Sequence, residues 1–181
     1  MIYSLFPAPP VYLLDTSSVV RLNGKDGNPS AHPFSKAEQA AIWKGLEKFA
    51  DDGRLKLIKQ VKSELWRHDR TGRARLCKYP KHELIIKKTP QVIRLYRDVT
   101  TNHSDLMKGG SRRDPGDPWL IVAAELFDYT IICEELLKSD RSPTLPRRKR
   151  NMERIPDVCK TRTLRDAIRL RDLAKQEGWI K

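Results

Sequence analysis

The first break in the hydrophobic pattern comes early. Val11–Leu14 is an unbroken apolar run bounded by Pro10 and Asp15. A short run with β-branched and aromatic members, closed by a carboxylate, predicts a buried strand. "TSSVVRL" predicts a short helix after it, and "NGKDGNPSAHP" is a loop rich in turn formers. Ser35 and Glu38 have the spacing of a capping box. Ile42, Trp43, Leu46, Phe49 and Ala50 then recur at helical spacing until Gly53, which predicts a helix with both ends marked. Leu55–Ile58 predicts a second strand, and "VKSELWRHD" a helix behind it.

From Arg70 to Lys108 the pattern weakens to a short apolar "LII" and a helix around Gln91–Val99. "KGGSRRDPGDP" reads as a loop, "WLIVAAELF" as an almost wholly apolar helix, and "YTIIC" as a strand. "SDRSPTLPRRKRN" reads as a basic loop, mobile without a partner. Thr163 with Asp166 has capping-box spacing, predicting a last helix through Glu177 that Gly178 ends. Short strands alternating with longer helices predict an α/β fold in three α/β/α layers around a parallel sheet of four to five strands. There are no repeats. The 181 residues suit one domain, with 1–10 as a leader and 138–151 as the basic loop.

Charge changes the picture most. The net charge is +13, and it is concentrated. Lys59–Lys88 holds ten Lys/Arg against three Asp/Glu, and Lys138–Arg154 holds seven against two. Patches of this kind suit a phosphate backbone, although a solubilising surface or an anionic membrane contact would show the same composition. Three scattered cysteines form no disulfide framework, and four histidines show no zinc spacing. The proline-broken N-terminus lacks the form of a signal peptide, and no run approaches the ~20 apolar residues of a membrane span. A reducing, cytoplasmic setting is therefore expected.

Several acids fall where an open parallel sheet delivers residues to a crevice, beyond the carboxyl ends of its strands. Asp15 follows the first strand and Glu64 lies on the helix after the second. Asp114 and Asp117 precede or open the apolar helix, Glu134 and Glu135 follow "YTIIC", and Asp157 stands in "RIPDVC". Each has an ordinary reading beside the chemical one. Asp15 and Asp117 suit helix N-caps, Asp114 a turn, and Glu64 a solvated helix charge. Glu134 and Glu135 suit a first helical turn. Asp15 can also cap with one oxygen and ligate with the other. Taken jointly, converging carboxylates repel and raise one another's pKa unless a hard cation sits among them. Mg²⁺ or Mn²⁺ would suit such oxygen ligands, and basic patches around an acidic metal pocket suit a nuclease.

These residues resemble the PIN-domain ribonucleases. "VYLLDTSSVVRL" is similar to that family's opening strand, "LIKQVKSELWRHD" to its second motif with Glu64 as the acid, and "DPGDPWLIVAAELFDYTIICEE" to its third. The ending from "MERIPDVC" resembles a PIN-like toxin subfamily. Together the segments cover about half the chain. The resemblance implies that Asp15, Glu64 and Asp117 are the catalytic, metal-binding acids. Glu135 falls where many members carry a fourth acid, with Cys133 in place of the usual threonine and glutamate in place of aspartate. Ser17 stands at a polar supporting position. Mg²⁺ or Mn²⁺, RNA cleavage, an antitoxin partner and a homodimer are implied in the same way.

For the strand itself, Arg112 and Arg113 beside the acidic loop are the first candidates for phosphate contacts. Lys59 and Lys62, and Arg147 and Arg148 in the basic loop, come next. Trp43, Trp66 and Trp119 read as core residues rather than base-stacking ones, and His68 as an exposed side chain. Three readings stand: a metal-dependent endoribonuclease acting as the toxin of a toxin–antitoxin pair, a non-catalytic nucleic-acid-binding module whose acids only cap helices, or the same fold acting chiefly as a complex partner whose basic face an acidic antitoxin covers.

Overall fold

The computed structural model describes residues 9–24, 33–108 and 115–181. The predicted strands form as β1 (Tyr12–Leu14), β2 (Leu55–Ile58) and β4 (Thr130–Ile132), with a two-residue β3 (Glu83–Leu84) in the weakly patterned middle. All pairings are parallel and the sheet order is β3-β2-β1-β4. Leu13, Leu14, Leu55, Leu57, Ile131 and Ile132 are fully buried. Continuous apolar runs are what strands covered on both faces require.

Helices α1 (Thr16–Leu22), α2 (Lys36–Asp52), α3 (Lys59–His68) and α4 (Arg70–Cys77) belong to the first half, and α5 (Pro90–Asn102) and α6 (Gly116–Phe127) to the second. The Ser35–Glu38 capping box closes at both hydrogen bonds, and Gly53 ends α2 in the left-handed region at φ 78°. On the α2 side of the sheet Phe49 stacks on Tyr12 with ring centroids 5.6 Å apart. Trp179 meets Phe49 edge-on and lies so close to Gly45 that a Cβ there would fall 2.2 Å from the indole. Helix α6 packs against β1, β2 and β4, with α5 beside it, which completes the α/β/α layers. No described helix is long and apolar enough to cross a membrane.

Two expectations about the C-terminal third are corrected. The basic segment is not a plain loop: it contains a 3-10 turn at Lys138–Asp140 and a short helix, α7 (Arg147–Asn151). Buried Arg141 organises it, donating to the carbonyls of Leu136 and Arg150 at 2.9 Å each and pairing with Asp157. The supposed capping box at Thr163 is the end of a different helix, α8 (Ile155–Thr161). Thr163 adopts φ 53°, and the Leu164 N–H returns to the Cys159 carbonyl at 2.9 Å. Such a left-handed turn closes a helix C-terminus rather than opening a new one. The chain then runs beside β4, where Ile168 makes a parallel bridge to Ile132, and only Leu170–Gln176 is helical (α9). A fifth strand is thus reduced to one bridge.

Candidate active site

The sheet order places β1 between β2 and β4, so the chain leaves β1 toward one neighbour and returns beside the other. That reversal opens a crevice at the carboxyl ends of β1 and β4. Asp15 lies there, 6% exposed, immediately after β1. Its Oδ2 accepts from the Ser17 N–H at 3.1 Å and from the Ser17 hydroxyl, capping α1. The Ser17 hydroxyl in turn accepts from the Glu134 N–H at 3.1 Å, tying the β1 and β4 loops together. Among the described residues no hydrogen bond reaches Asp15 Oδ1.

Glu64 is no solvated charge. It is half-buried, its Oε2 accepts from Thr16 Oγ1 at 2.8 Å, and its Oε1 accepts from the Gly116 N–H at 3.1 Å. Asp117 does not cap α6 either: Pro115 occupies that position, and Asp117 is inside the first turn. The Asp117 carboxylate receives no hydrogen bond among the described residues. Glu135 completes the group from the β4 side, accepting from Arg154 at 2.6 Å and from the Ile155 N–H at 3.0 Å.

These acids feel one another. Burial pushes the Asp15 carboxyl up to about 6 against the pull of the Ser17 hydrogen bonds, and the charges of Glu135 and Glu64 push the same way. Asp117 is driven well above the usual carboxylate range, by burial first and then by Asp15, Glu135 and Glu64, with Arg154 opposing. Burial, then Asp15 and Glu135, also push the Cys133 thiol up, so it stays protonated and adds no thiolate.

The donor set is oxygen only, which fits a hard divalent cation such as Mg²⁺ or Mn²⁺. Among the described residues no three acids stand at the spacing that would enclose an ion directly. A cation that keeps several waters needs only one or two direct carboxylates, and Asp117 and Asp15 Oδ1 are the oxygens with lone pairs to offer. Glu64 and Glu135, already hydrogen-bonded, would act mainly through charge and through water.

Other sequence candidates fall outside this cluster. Glu134 opens no helix of its own; it accepts from the Leu170 N–H at the start of α9 at 3.0 Å and pairs with Arg21 at 3.3 Å, a structural role. Asp157 accepts from the Lys138 and Arg154 N–H groups at 2.8 and 3.0 Å and holds Arg141. Lys62 is engaged by Glu83 at 2.9 Å, which leaves Lys59 as the exposed lysine at the start of α3. Arg147 and Arg148 are exposed on α7. Asp114, Arg112 and Arg113 lie outside the described residues. Sequence reasoning missed Arg154, which pairs with Glu135 at the cluster; its neighbourhood in "RIPDVC" drew attention to Asp157 instead.

A cavity of about 730 Å³ lies elsewhere: Val11, Tyr12, Tyr129 and Thr130 line it at the amino-terminal ends of β1 and β4. It holds none of the clustered acids.

No curated protein and no solved structure matches this sequence. A family model described as a domain of unknown function, DUF4411, matches residues 12–179, from the first strand to the tryptophan that packs on α2. The chain belongs to that DUF4411 family.

Proposed function

We propose that this chain is a divalent-metal-dependent endoribonuclease whose site is the cluster of Asp15, Glu64, Asp117 and Glu135. One observation carries the reading: carboxyls from four separate segments meet at one crevice, where burial first and their mutual charge second push Asp15 and Asp117 toward protonation. A fold has no structural use for such repulsion, whereas a bound cation removes it. When bound, Mg²⁺ or Mn²⁺ would stabilise charge on the phosphodiester and acidify a water. The protein's own part is positional. Ser17 holds one oxygen of Asp15 and leaves the other open. Glu64 fixes the spacing between the two aspartate-bearing segments, through Thr16 and Gly116. Arg154 moderates the cluster through Glu135.

RNA as the substrate rests on the basic patches and on the resemblance to PIN-domain ribonucleases, as do the toxin role, an antitoxin partner and a homodimer. The basic segment Lys138–Arg154, anchored beside the cluster through Arg154, supports an acidic partner or a nucleic-acid strand at that edge. The deciding experiment incubates pure protein with an RNA panel in Mg²⁺, Mn²⁺ or EDTA. Metal-dependent cleavage by the native chain, lost in Asp15→Asn and Asp117→Asn with fold and RNA binding retained, is the expected result. Full activity in Asp15→Asn defeats the proposal, and binding without cleavage in any metal returns the chain to a non-catalytic binding module.

A further inference from the structure

Trp66 was expected in the core, and it is not there. It is 52% exposed, whereas Trp43 and Trp119 are each 3% exposed. Two guanidiniums lie over its ring, Arg70 at 4.8 Å and Arg73 at 4.9 Å from the centroid. The break between α3 and α4 makes this geometry. Asp69 ends α3 and caps α4, accepting from the Gly72 N–H at 3.1 Å, and a Cβ on Gly72 would meet Val19 at 2.4 Å. The close approach of α4 turns its first arginines back onto the last turn of α3.

The cations here lack acids. Arg67, Arg70 and Arg73 make no ion pair among the described residues, while nearby Arg75 and Lys78 share Glu47 at 2.8 and 3.5 Å. Buried Nε of Arg73 has no hydrogen-bond partner. An exposed indole flanked by unneutralised guanidiniums is the combination that holds single-stranded nucleic acid: the ring stacks a base, and the arginines take phosphate oxygens. Trp66 follows Glu64 by two residues, about 200° round α3. Exposed Arg67 lies on the shorter arc between them, and the indole stands on nearly the opposite face of α3 from Glu64.

We propose that Trp66, Arg70 and Arg73 form a stacking platform for an unpaired nucleotide of the RNA strand, outside the acidic cluster. The choice of RNA rests on the nuclease reading. The platform selects single strands, because the bases of a duplex are stacked on each other and present no face to the indole.

The test measures binding of a labelled oligouridylate and of an RNA duplex to the native chain in EDTA, by anisotropy and by tryptophan emission. Trp66→Ala should weaken oligouridylate binding about 5- to 100-fold and leave duplex binding unchanged. Trp66→Phe should restore most of that affinity while losing the emission change that binding produces. Arg70→Ala and Arg73→Ala should each flatten the salt dependence by about 0.7 in log–log slope. Unchanged oligouridylate affinity in Trp66→Ala overturns the proposal. So does an acidic peptide that perturbs Trp66 emission where oligouridylate does not, which would mark a protein-docking face. Binding in EDTA needs no cleavage, so the two readings fail separately. A platform that fails leaves the cleavage assay standing, and Trp66-dependent binding without cleavage in any metal removes the nuclease reading alone.

Discussion

Glu64 and Gly116 are 52 residues apart, yet the Gly116 N–H donates to Glu64 Oε1 at 3.1 Å. The other oxygen of the same carboxylate accepts from Thr16. Thr16 follows Asp15 and Gly116 precedes Asp117, so one glutamate sets the separation of the two aspartates. A Cβ on residue 116 would stand 3.1 Å from Glu64 Oε1 and 3.3 Å from Oε2, which explains a glycine at the first position of α6.

Gly116→Ala therefore tests positioning apart from charge. Alanine favours the helix by up to about 1 kcal/mol over glycine, so the melting temperature should hold or rise. Glu64 must give by a few tenths of an ångström, and displacement of a catalytic group by about 1 Å costs roughly 100-fold in rate. The expected outcome is a folded protein with RNA cleavage reduced roughly 3- to 10-fold, read from kcat and thermal melting together. Unchanged kcat would count against the role given to Glu64.

Burial of the Asp15 carboxylate, with the charges of Glu135 and Glu64 added, gives a stability prediction. An ordinary aspartate titrates at 3.8, and folding lifts Asp15 to about 6. The folded state therefore binds the proton more tightly than the unfolded state. The associated stability is complete below 3.8 and is lost as pH rises through about 6. At neutral pH without metal, the ionised cluster should cost roughly 3 kcal/mol through Asp15. Asp15→Asn and Asp117→Asn should thus melt higher than the native chain at pH 7.5, with the advantage shrinking toward pH 4. Melting curves across that range in EDTA check it.

Cation binding must displace the protons that the cluster retains. Mg²⁺ or Mn²⁺ at a hundredfold excess over its Kd should add about 2.7 kcal/mol at neutral pH, and progressively less as pH falls below 6. Asp117→Asn should abolish most of the effect. Calorimetry in two buffers of different ionisation enthalpy should show proton release on binding.

Arg154 opposes the rise at Asp117 and pairs with Glu135. Removing its charge in Arg154→Met leaves Asp117 protonated to higher pH. The ascending limb of the pH–rate profile should move upward, and activity at pH 6 should fall more than activity at pH 8. An unshifted profile would separate Arg154 from the cluster.

Arg141 and Asp157 form a buried pair, with side chains 5% and 10% exposed. Arg141→Ala leaves Asp157 without its cation and should destabilise the fold by about 3–5 kcal/mol. The segment from Lys138 to Met152 should become the first site of protease nicking, and RNA binding should weaken with it. Limited proteolysis followed by mass analysis reads both ends of that claim.

Much was written locally. The runs Val11–Leu14, Leu55–Ile58 and "YTIIC" became parallel strands because an apolar run too short for a helix must be covered on both faces. Ser35, Glu38 and Gly53 marked both ends of α2, since caps satisfy backbone groups within a few residues. Asp15, Glu64, Asp117 and Glu135 were legible for a related reason: a parallel sheet sends the residues after its strands to one edge. Thr163 and Asp166 misled because a capping box and a left-handed helix end can share the same letters. The left-handed Thr163 and the Leu164 N–H returning to the Cys159 carbonyl decided between them.

Tertiary structure alone decided what each acid does. Asp15, Asp117 and Asp157 are the same residue type beside helix starts. Among the described residues, one caps and keeps an oxygen open, one lies unpaired in the first turn, and one is consumed by Arg141. Trp66 and Trp119 differ in the same way, one under arginines at the surface and one in the core. Sequence fixes strands, caps and charge because those depend on near neighbours. It does not fix which carboxylate meets a cation and which meets only other carboxylates, because those partners are remote along the chain: Arg141 reaches Asp157 across 16 residues, and Asp15 feels Glu64 and Glu135 from other segments altogether.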